Sequence, residues 1–225
     1  MPEDIKLEAF DLEQLDQNGA IREAEEAVAG DSRADFLRKA ALGGGAMIGG
    51  GALLGAMPSL AAAKPSAKQD IAILNFALTL EYLEAEFYKE ALAKVPFADG
   101  VARDVTQVVS SHENAHVKFL KKALGSKAVK KPKFDFKDTT STQGKFLATA
   151  VALEDTGVRA YSGQGTRIKS PAIVKAAISI LVIEARHASR FRAINNNKFA
   201  PSAFGSANSM AQVLKTVKKT GFIKS

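Results

Sequence analysis

Two copies of a Glu-x-x-His pattern occur in the chain, Glu113-Asn-Ala-His116 and Glu184-Ala-Arg-His187, and they follow Glu81 and Glu154 by 32 and 30 residues. Residues three positions apart lie on one face of an α-helix, so each copy presents a carboxylate beside an imidazole. Two such helices and two single-glutamate helices make the inward-facing ligand set of a dinuclear metal site in a four-helix bundle. The predicted ligands are Glu81, Glu113, His116, Glu154, Glu184 and His187.

The chemistry of this set predicts which ions it binds. All four glutamates fall on apolar helical stripes, and an ionised carboxylate buried without compensation is very costly. Two divalent cations would balance the four negative charges, with both imidazoles neutral. Oxygen and imidazole ligands together suit iron and also manganese. We therefore expect two metal ions, with iron as the first choice and manganese as the second. Glu113 and Glu184 are predicted to bridge them, and Glu81 and Glu154 to be terminal ligands.

The elements that must position these residues are helices. Helical periodicity predicts them over residues 66–92, 101–124, 144–161, 171–195 and 209–218, with no strands. Gly163-Gln-Gly165 is predicted to end the third helix, and Gly125 to follow the second. The lysine-rich segment 126–143 is predicted to be a long crossover. One long crossover is typical of ferritin-like bundles. The predicted fold class is therefore all-α, a ferritin-like four-helix bundle with one long crossover and a short C-terminal helix.

The two halves of the bundle also resemble each other. Leu80-Glu81 is followed seven residues later by Tyr88, and Leu153-Glu154 is followed seven residues later by Tyr161. Seven residues is two helical turns, which puts each tyrosine on the face of the glutamate in its own helix. Tyr88 and Tyr161 are therefore candidate catalytic residues, which could be redox-active or orient the carboxylates.

The segment Ile71-Ala-Ile-Leu-Asn-Phe-Ala-Leu-Thr-Leu-Glu-Tyr-Leu-Glu-Ala-Glu-Phe-Tyr88, with both Glu-x-x-His motifs, resembles the ferritin-like domain family that includes desiccation-related proteins. The resemblance covers roughly residues 68–196. Its six-ligand pattern is shared with di-iron proteins such as rubrerythrin and bacterioferritin, which implies oxidation of iron or reduction of peroxide or dioxygen. Rubrerythrins carry a further glutamate on the third helix, where this chain has Gly157. Glu84 lies one turn after Glu81 and could be a spare ligand on the first helix, but the preferred interpretation is a surface or loosely coordinating residue.

A competing interpretation starts from His112-Glu113-Asn-Ala-His116, which is also the zinc-protease motif H-E-x-x-H. In that case His112 and His116 would bind zinc, Glu113 would be the base, and Glu154 or Glu184 would supply a third ligand. This hypothesis leaves His187 and the duplicated spacing unexplained. A further alternative is a non-catalytic structural or envelope-binding stress protein, whose metals simply hold the helices together.

The chain before the bundle has a different composition. Residues 1–31 are acidic and are predicted to be a disordered leader. Residues 32–63 resemble a twin-arginine export signal, with basic residues, an apolar Gly/Ala-rich run and a closing Ala61-Ala-Ala63. The alternative for residues 40–63 is a retained membrane anchor. The bundle is predicted over 64–200 and a C-terminal tail over 201–225. We therefore expect an exported protein, periplasmic or extracellular.

The charge of the predicted exported part indicates its partners. The whole chain carries a net charge of +7, whereas residues 64–225 hold 26 lysines and arginines against 13 aspartates and glutamates, a balance of +13. Such a surface suits an anionic envelope partner. Nucleic acid is not expected, because the lysine cluster from Lys118 to Lys137 lacks the interleaved aromatic residues of a stacking surface. The other expected partners are metal ions, small oxidants and further copies of the chain in a dimer or larger homo-oligomer. The chain has no cysteine, which excludes disulfides and thiolate metal sites.

Overall fold

The computed structural model describes residues 65–98 and 100–224. The leader and the export or anchor segment predicted over residues 1–63 lie outside these residues and stay predictions. The described helices are α1 (Ala67–Lys94), α2 (Gly100–Leu124), α3 (Gln143–Gly165), α4 (Pro171–Ile194) and α5 (Met210–Thr220). The prediction of an all-α bundle with a short C-terminal helix is confirmed.

Most helix starts follow from local capping chemistry. Ser66, Thr142, Ser170 and Ser209 each accept a hydrogen bond from the backbone N–H three residues later. Asp70 of α1 adds a tertiary cap, because its carboxylate accepts the backbone N–H groups of Lys169 and Ser170 at 2.8 and 3.0 Å. These two bonds fix the start of α4 against α1.

The bundle consists of two helical hairpins joined by the predicted crossover. Helix α1 packs along α2, and α3 packs along α4, with α1 against α3 and α2 against α4 completing the four-helix arrangement. Aromatic rings fill the centre of the core at one end, where Phe146 lies with its ring centroid 5.5 Å from Phe87 and 5.8 Å from Phe191. All three rings are fully buried. This end therefore supports the helices next to the glutamates.

The crossover and the C-terminal segment meet in a feature that the sequence did not predict. Strand β1 (Lys133–Phe134) pairs antiparallel with β2 (Ile223–Lys224). Val213 and Val217 of α5 and Phe222 are buried in the same core cluster as Phe87. The segment predicted as a tail thus contributes side chains to the core of the bundle.

Helix α3 ends at Gly165, within the Gly163-Gln-Gly165 segment predicted to end it, and Gly163 lies inside the last turn of the helix. A Cβ atom at this position would lie 1.8 Å from the carbonyl oxygen of Asn208. The backbone N–H of Asn208 donates to the carbonyl of Arg159 at 3.0 Å, which holds the connection to α5 directly against α3. Glycine is therefore required here for close backbone approach.

Within the residues that the structure describes, no helix combines the length and the apolar character needed to cross a membrane. The anchor alternative over residues 40–63 lies outside that part of the chain.

Candidate metal centre

Each of the four central helices contributes one fully buried glutamate. Glu81, Glu113, Glu154 and Glu184 come from α1, α2, α3 and α4 respectively, and none of them has any solvent exposure. Each lies one or two helical turns from large apolar core residues on its own helix, which is why the helix turns it inward. The structure thus brings together four carboxylates that are far apart in the sequence.

The imidazole of His116 lies among three of these carboxylates. Its Nδ1 atom is 3.1 Å from Glu81 Oε2, 3.2 Å from Glu113 Oε2 and 3.2 Å from Glu184 Oε1. The side chain is 12% exposed. The carboxylates on these contacts belong to α1, α2 and α4, so one imidazole nitrogen faces three helices.

The imidazole of His187 occupies the corresponding place on the other side of the cluster. Its Nδ1 atom is 3.1 Å from Glu113 Oε1 and 3.3 Å from Glu154 Oε2. His187 is 5% exposed. All six residues predicted as ligands therefore meet in one cluster.

The potential ligand atoms converge in two overlapping groups. One group contains Glu81, Glu113, His116 and Glu184, and its donor atoms lie within 4.8 Å of one another. The second contains Glu113, Glu154, Glu184 and His187, at the same spacing. Glu113 and Glu184 belong to both groups, whereas Glu81 and Glu154 each belong to one. This is the arrangement expected of two shared and two terminal carboxylates.

Unpartnered polar atoms show that the cluster fits a cation. Among the described residues, six buried side-chain nitrogen and oxygen atoms have no hydrogen-bond partner. Five of them belong to the cluster: Glu113 Oε1, Glu154 Oε2, both carboxylate oxygens of Glu184, and His187 Nδ1. Buried polar atoms are nearly always satisfied in native proteins. These atoms approach one another without hydrogen-bonding geometry, which is how ligands directed at a common cation are arranged. The buried Glu/His cluster can therefore hold metal ions.

The electrostatics of the cluster point the same way. Burial raises the pKa of Glu81 to about 7, although contact with His116 opposes that rise. Burial and then repulsion by neighbouring carboxylates also raise the pKa values of Glu154 and Glu184. Burial lowers the pKa of His116, but its carboxylate contacts outweigh this effect and raise it to about 12. The raised pKa values favour protonation of these buried groups, and a cation bound in the cluster would displace those protons.

The candidate catalytic tyrosines are buried in contact with the cluster, in a crossed arrangement. Tyr88 of α1 donates a hydrogen bond to Glu154 Oε1 of α3, and Tyr161 of α3 donates one to Glu81 Oε1 of α1. The sequence analysis placed each tyrosine on the face of the glutamate in its own helix, and the structure adds that each phenol bonds the glutamate of the other hairpin. Burial, and then the negative charge of the bonded glutamate, raise the pKa of each phenol well above its usual value. Both tyrosines therefore remain protonated donors that fix the terminal carboxylates, Glu81 and Glu154, which are called the outer carboxylates below.

His112 is held by the cluster without belonging to either group. Its Nδ1 atom lies 2.9 Å from Nε2 of His187, and the two rings are stacked with centroids 5.2 Å apart. If Nδ1 of His187 serves as the ligand atom, its Nε2–H is free to donate to His112. The zinc-protease hypothesis paired His112 with His116 on one ion, whereas the structure pairs it with His187.

Glu84 is buried beside the cluster, although it belongs to neither group of converging donor atoms. It is 2% exposed, so the interpretation of this residue as a surface glutamate is wrong. Burial, followed by repulsion from Glu184, Glu154 and two further carboxylates, raises its pKa well above the usual value. The available sequence signal was its one-turn spacing from Glu81 on the same apolar stripe.

One comparison with known protein families agrees with this geometry. The search of curated proteins gave no match. A family model described as a ferritin-like domain matches residues 69–197, which is more than half of the chain and takes in nearly all of α1 to α4. The resemblance expected over residues 68–196 is thereby confirmed. With four inward-facing glutamates and two histidines inside the matched segment, the chain belongs to the ferritin-like domain family.

Proposed function

We propose that the buried cluster binds two metal ions, iron or manganese, and that the loaded centre oxidises iron or reduces peroxide or dioxygen in stress protection. The observation that carries this proposal is the overlap of the two groups of donor atoms. Glu113 and Glu184 take part in both groups, so they would bridge the ions. Glu81 with His116 would complete one ion's ligands, and Glu154 with His187 the other's.

The donor chemistry supports this choice of ions. Carboxylate oxygens and imidazole nitrogens suit iron and manganese, and the described cluster offers no sulfur ligand. When bound, a pair of these ions would supply electrons to peroxide or dioxygen, or accept electrons from ferrous iron. The chain's own residues hold the pair, balance its charge and surround it with an apolar shell that keeps bulk water away.

Tyr88 and Tyr161 have positioning roles in this proposal. Each donates to the outer carboxylate of the opposite hairpin, so Glu154 and Glu81 are fixed in orientation before an ion arrives. Each phenol also holds a proton within hydrogen-bonding distance of a ligand oxygen, which is where proton transfer during oxygen reduction would need it.

The second candidate function is a structural one, favoured by a specific observation. The cluster joins residues of all four central helices, so bound ions would hold the bundle together even without turnover. The two functions differ in redox behaviour. A catalytic centre loaded with ferrous iron changes its absorption spectrum on addition of peroxide or oxygen. In a purely structural centre, chelation lowers the melting temperature and the oxidants leave the spectrum unchanged.

We also propose export, with residues 32–63 as the signal and an anionic envelope surface as a partner. The basic balance of residues 64–225 supports the second part. Fractionation of producing cells and N-terminal sequencing of the recovered protein test this proposal. Recovery of the uncleaved chain from the cytosolic fraction would refute it. Homo-oligomerisation remains part of the proposal and is tested by sedimentation of the purified protein.

Elemental analysis is the experiment that tests the metal assignment. The full chain is purified from cells grown with both iron and manganese, without added metal, and close to two ions per chain are expected. The double variant Glu113→Ala/Glu184→Ala removes both shared carboxylates and should abolish stoichiometric binding. Glu86→Ala/Glu90→Ala is the matched control, because these glutamates of α1 pair with surface lysines. A Glu113/Glu184 variant that still binds two ions would disprove the ligand assignment.

A further inference from the structure

A fifth carboxylate is buried beside the cluster without a place in the six-ligand set. Glu84 lies one turn after Glu81 on α1 and is 2% exposed, nearly as buried as the four glutamates already described. An ionised carboxylate in such a position is very costly unless a cation or several donors compensate it. Its burial therefore needs a cause that the six-ligand assignment does not supply.

The space that Glu84 occupies is created by a glycine on the opposite hairpin. A Cβ atom added to Gly157 of α3 would lie 3.3 Å from Glu84 Oε1 and 3.1 Å from Glu184 Oε2. The two carboxylates therefore border the same small region beside the backbone of α3. Since Glu184 is in both groups of converging atoms, Glu84 reaches the edge of the cluster and not a separate part of the core.

The arrangement is one-sided in an otherwise repeated structure. Glu81 and Glu154 occupy equivalent places in the two hairpins, and so do Tyr88 and Tyr161 in their crossed hydrogen bonds. Three residues after these glutamates, α1 carries Glu84 whereas α3 carries Gly157. The missing side chain on α3 makes room for the additional carboxylate from α1.

We propose that Glu84 is a seventh protein ligand of the metal centre, supplying a fifth carboxylate from the Gly157 side. The inference rests on the proposed metal binding and specifies its chemistry further. Five carboxylates exceed the charge of two divalent ions, so the set stabilises a more highly charged, oxidised pair over the divalent pair. Glu84→Gln should therefore shift the reduction potential of the iron-loaded centre to a more positive value.

The first test measures the affinity of the full chain for manganese(II) alone, by competition with a chelator, which needs no turnover. Native protein is compared with Glu84→Gln, which keeps the size of the side chain but removes its charge. The control is Glu86→Gln on the same helix, which faces Lys131. Glu84→Gln should weaken binding of at least one of the two ions by about 10- to 100-fold, whereas Glu86→Gln should match the native protein. Identical affinities and identical manganese spectra in all three proteins would overturn the inference.

A second variant moves the carboxylate across the repeat. Glu84→Ala/Gly157→Glu empties the space on α1 and fills it from α3. Affinity closer to native than that of Glu84→Ala alone supports a ligand role, and a loss equal to that of Glu84→Ala contradicts it. The outcomes also separate the two proposals. Native protein that binds no manganese refutes the metal centre itself, and native binding that Glu84→Gln leaves unchanged refutes only the role of Glu84.

Discussion

The phenol of Tyr88 on α1 donates its hydrogen bond to Glu154 on α3, although Glu81 on its own helix is two turns away. Tyr161 returns the bond to Glu81 from α3. Each hairpin thus orients the outer carboxylate of the other, and the cluster is tied together across the α1–α3 interface before any ion is bound. A ligand held in place in advance loses less entropy when the ion arrives.

Removal of these phenols should weaken metal binding without unfolding the bundle. Tyr88→Phe and Tyr161→Phe each leave one outer carboxylate unanchored, and we expect about tenfold weaker binding of the ion on that side. Tyr82→Phe is the control, since Tyr82 is buried on the same helix in an apolar cluster. Chelator competition with manganese(II) provides the measurement. Equal affinities in all variants would show that the hydrogen bonds do not orient the ligands.

Substitution of His112 distinguishes the dinuclear interpretation from the zinc-protease interpretation. Because His112 contacts Nε2 of His187, His112→Ala should retain two ions per chain with affinity lowered by about tenfold through the loss of an orienting contact. A zinc site built on His112 and His116 would instead lose its ion. Elemental analysis of the variant distinguishes these results.

The stability of the metal-free protein should depend on pH through Glu81. Its pKa is raised from 4.5 to about 7 in the folded protein, so the folded state binds more protons than the unfolded state between these values. The stabilising contribution is complete below pH 4.5 and is lost as the pH rises through about 7. Thermal unfolding across this range should show a falling midpoint that is shallower in Glu81→Gln. An equally steep fall in that variant would assign the effect to other groups.

Substitution by alanine should change the free energy of unfolding differently at two nearby glycines of α3. Gly163→Ala places a methyl group against the Asn208 carbonyl, and because backbone has to move, we expect about 1–3 kcal/mol of destabilisation. Gly165→Ala meets nothing within 4 Å and should be neutral or slightly stabilising. Urea denaturation of both variants gives the free energies of unfolding. Similar values for the two would contradict the close approach of the α5 connection.

Much of the fold was accessible from the sequence, because helical periodicity and the duplicated Glu-x-x-His spacing depend on residues close together in the chain. The convergence of Glu81 with His116 followed from one structural rule about four-helix bundles. The crossed tyrosine bonds did not, because seven-residue spacing fixes a helix face but not which neighbour lies opposite that face.

The burial of Glu84 and the pairing of β1 with β2 share another cause. Glu84 is buried because Gly157, on a different hairpin, leaves space for it. Lys133 and Lys224 pair although they lie far apart in the sequence. Their strands have only two residues each, too few to produce an alternating pattern. Contacts of this kind are set by the assembled tertiary structure, so single-sequence patterns carry little signal for them.

The side chain of His116 is 12% exposed, whereas that of His187 is 6% exposed and those of the four predicted glutamate ligands are fully buried, and this difference has a kinetic consequence. An ion that enters past this imidazole, the most exposed of the six, would have to displace its proton before reaching the carboxylates behind it. Loading should therefore be much slower than diffusion, and exchange of a bound ion slower still. Short incubations would then measure the rate at which an ion passes His116 and not the affinity of the centre. Affinity measurements therefore require prolonged equilibration with the metal.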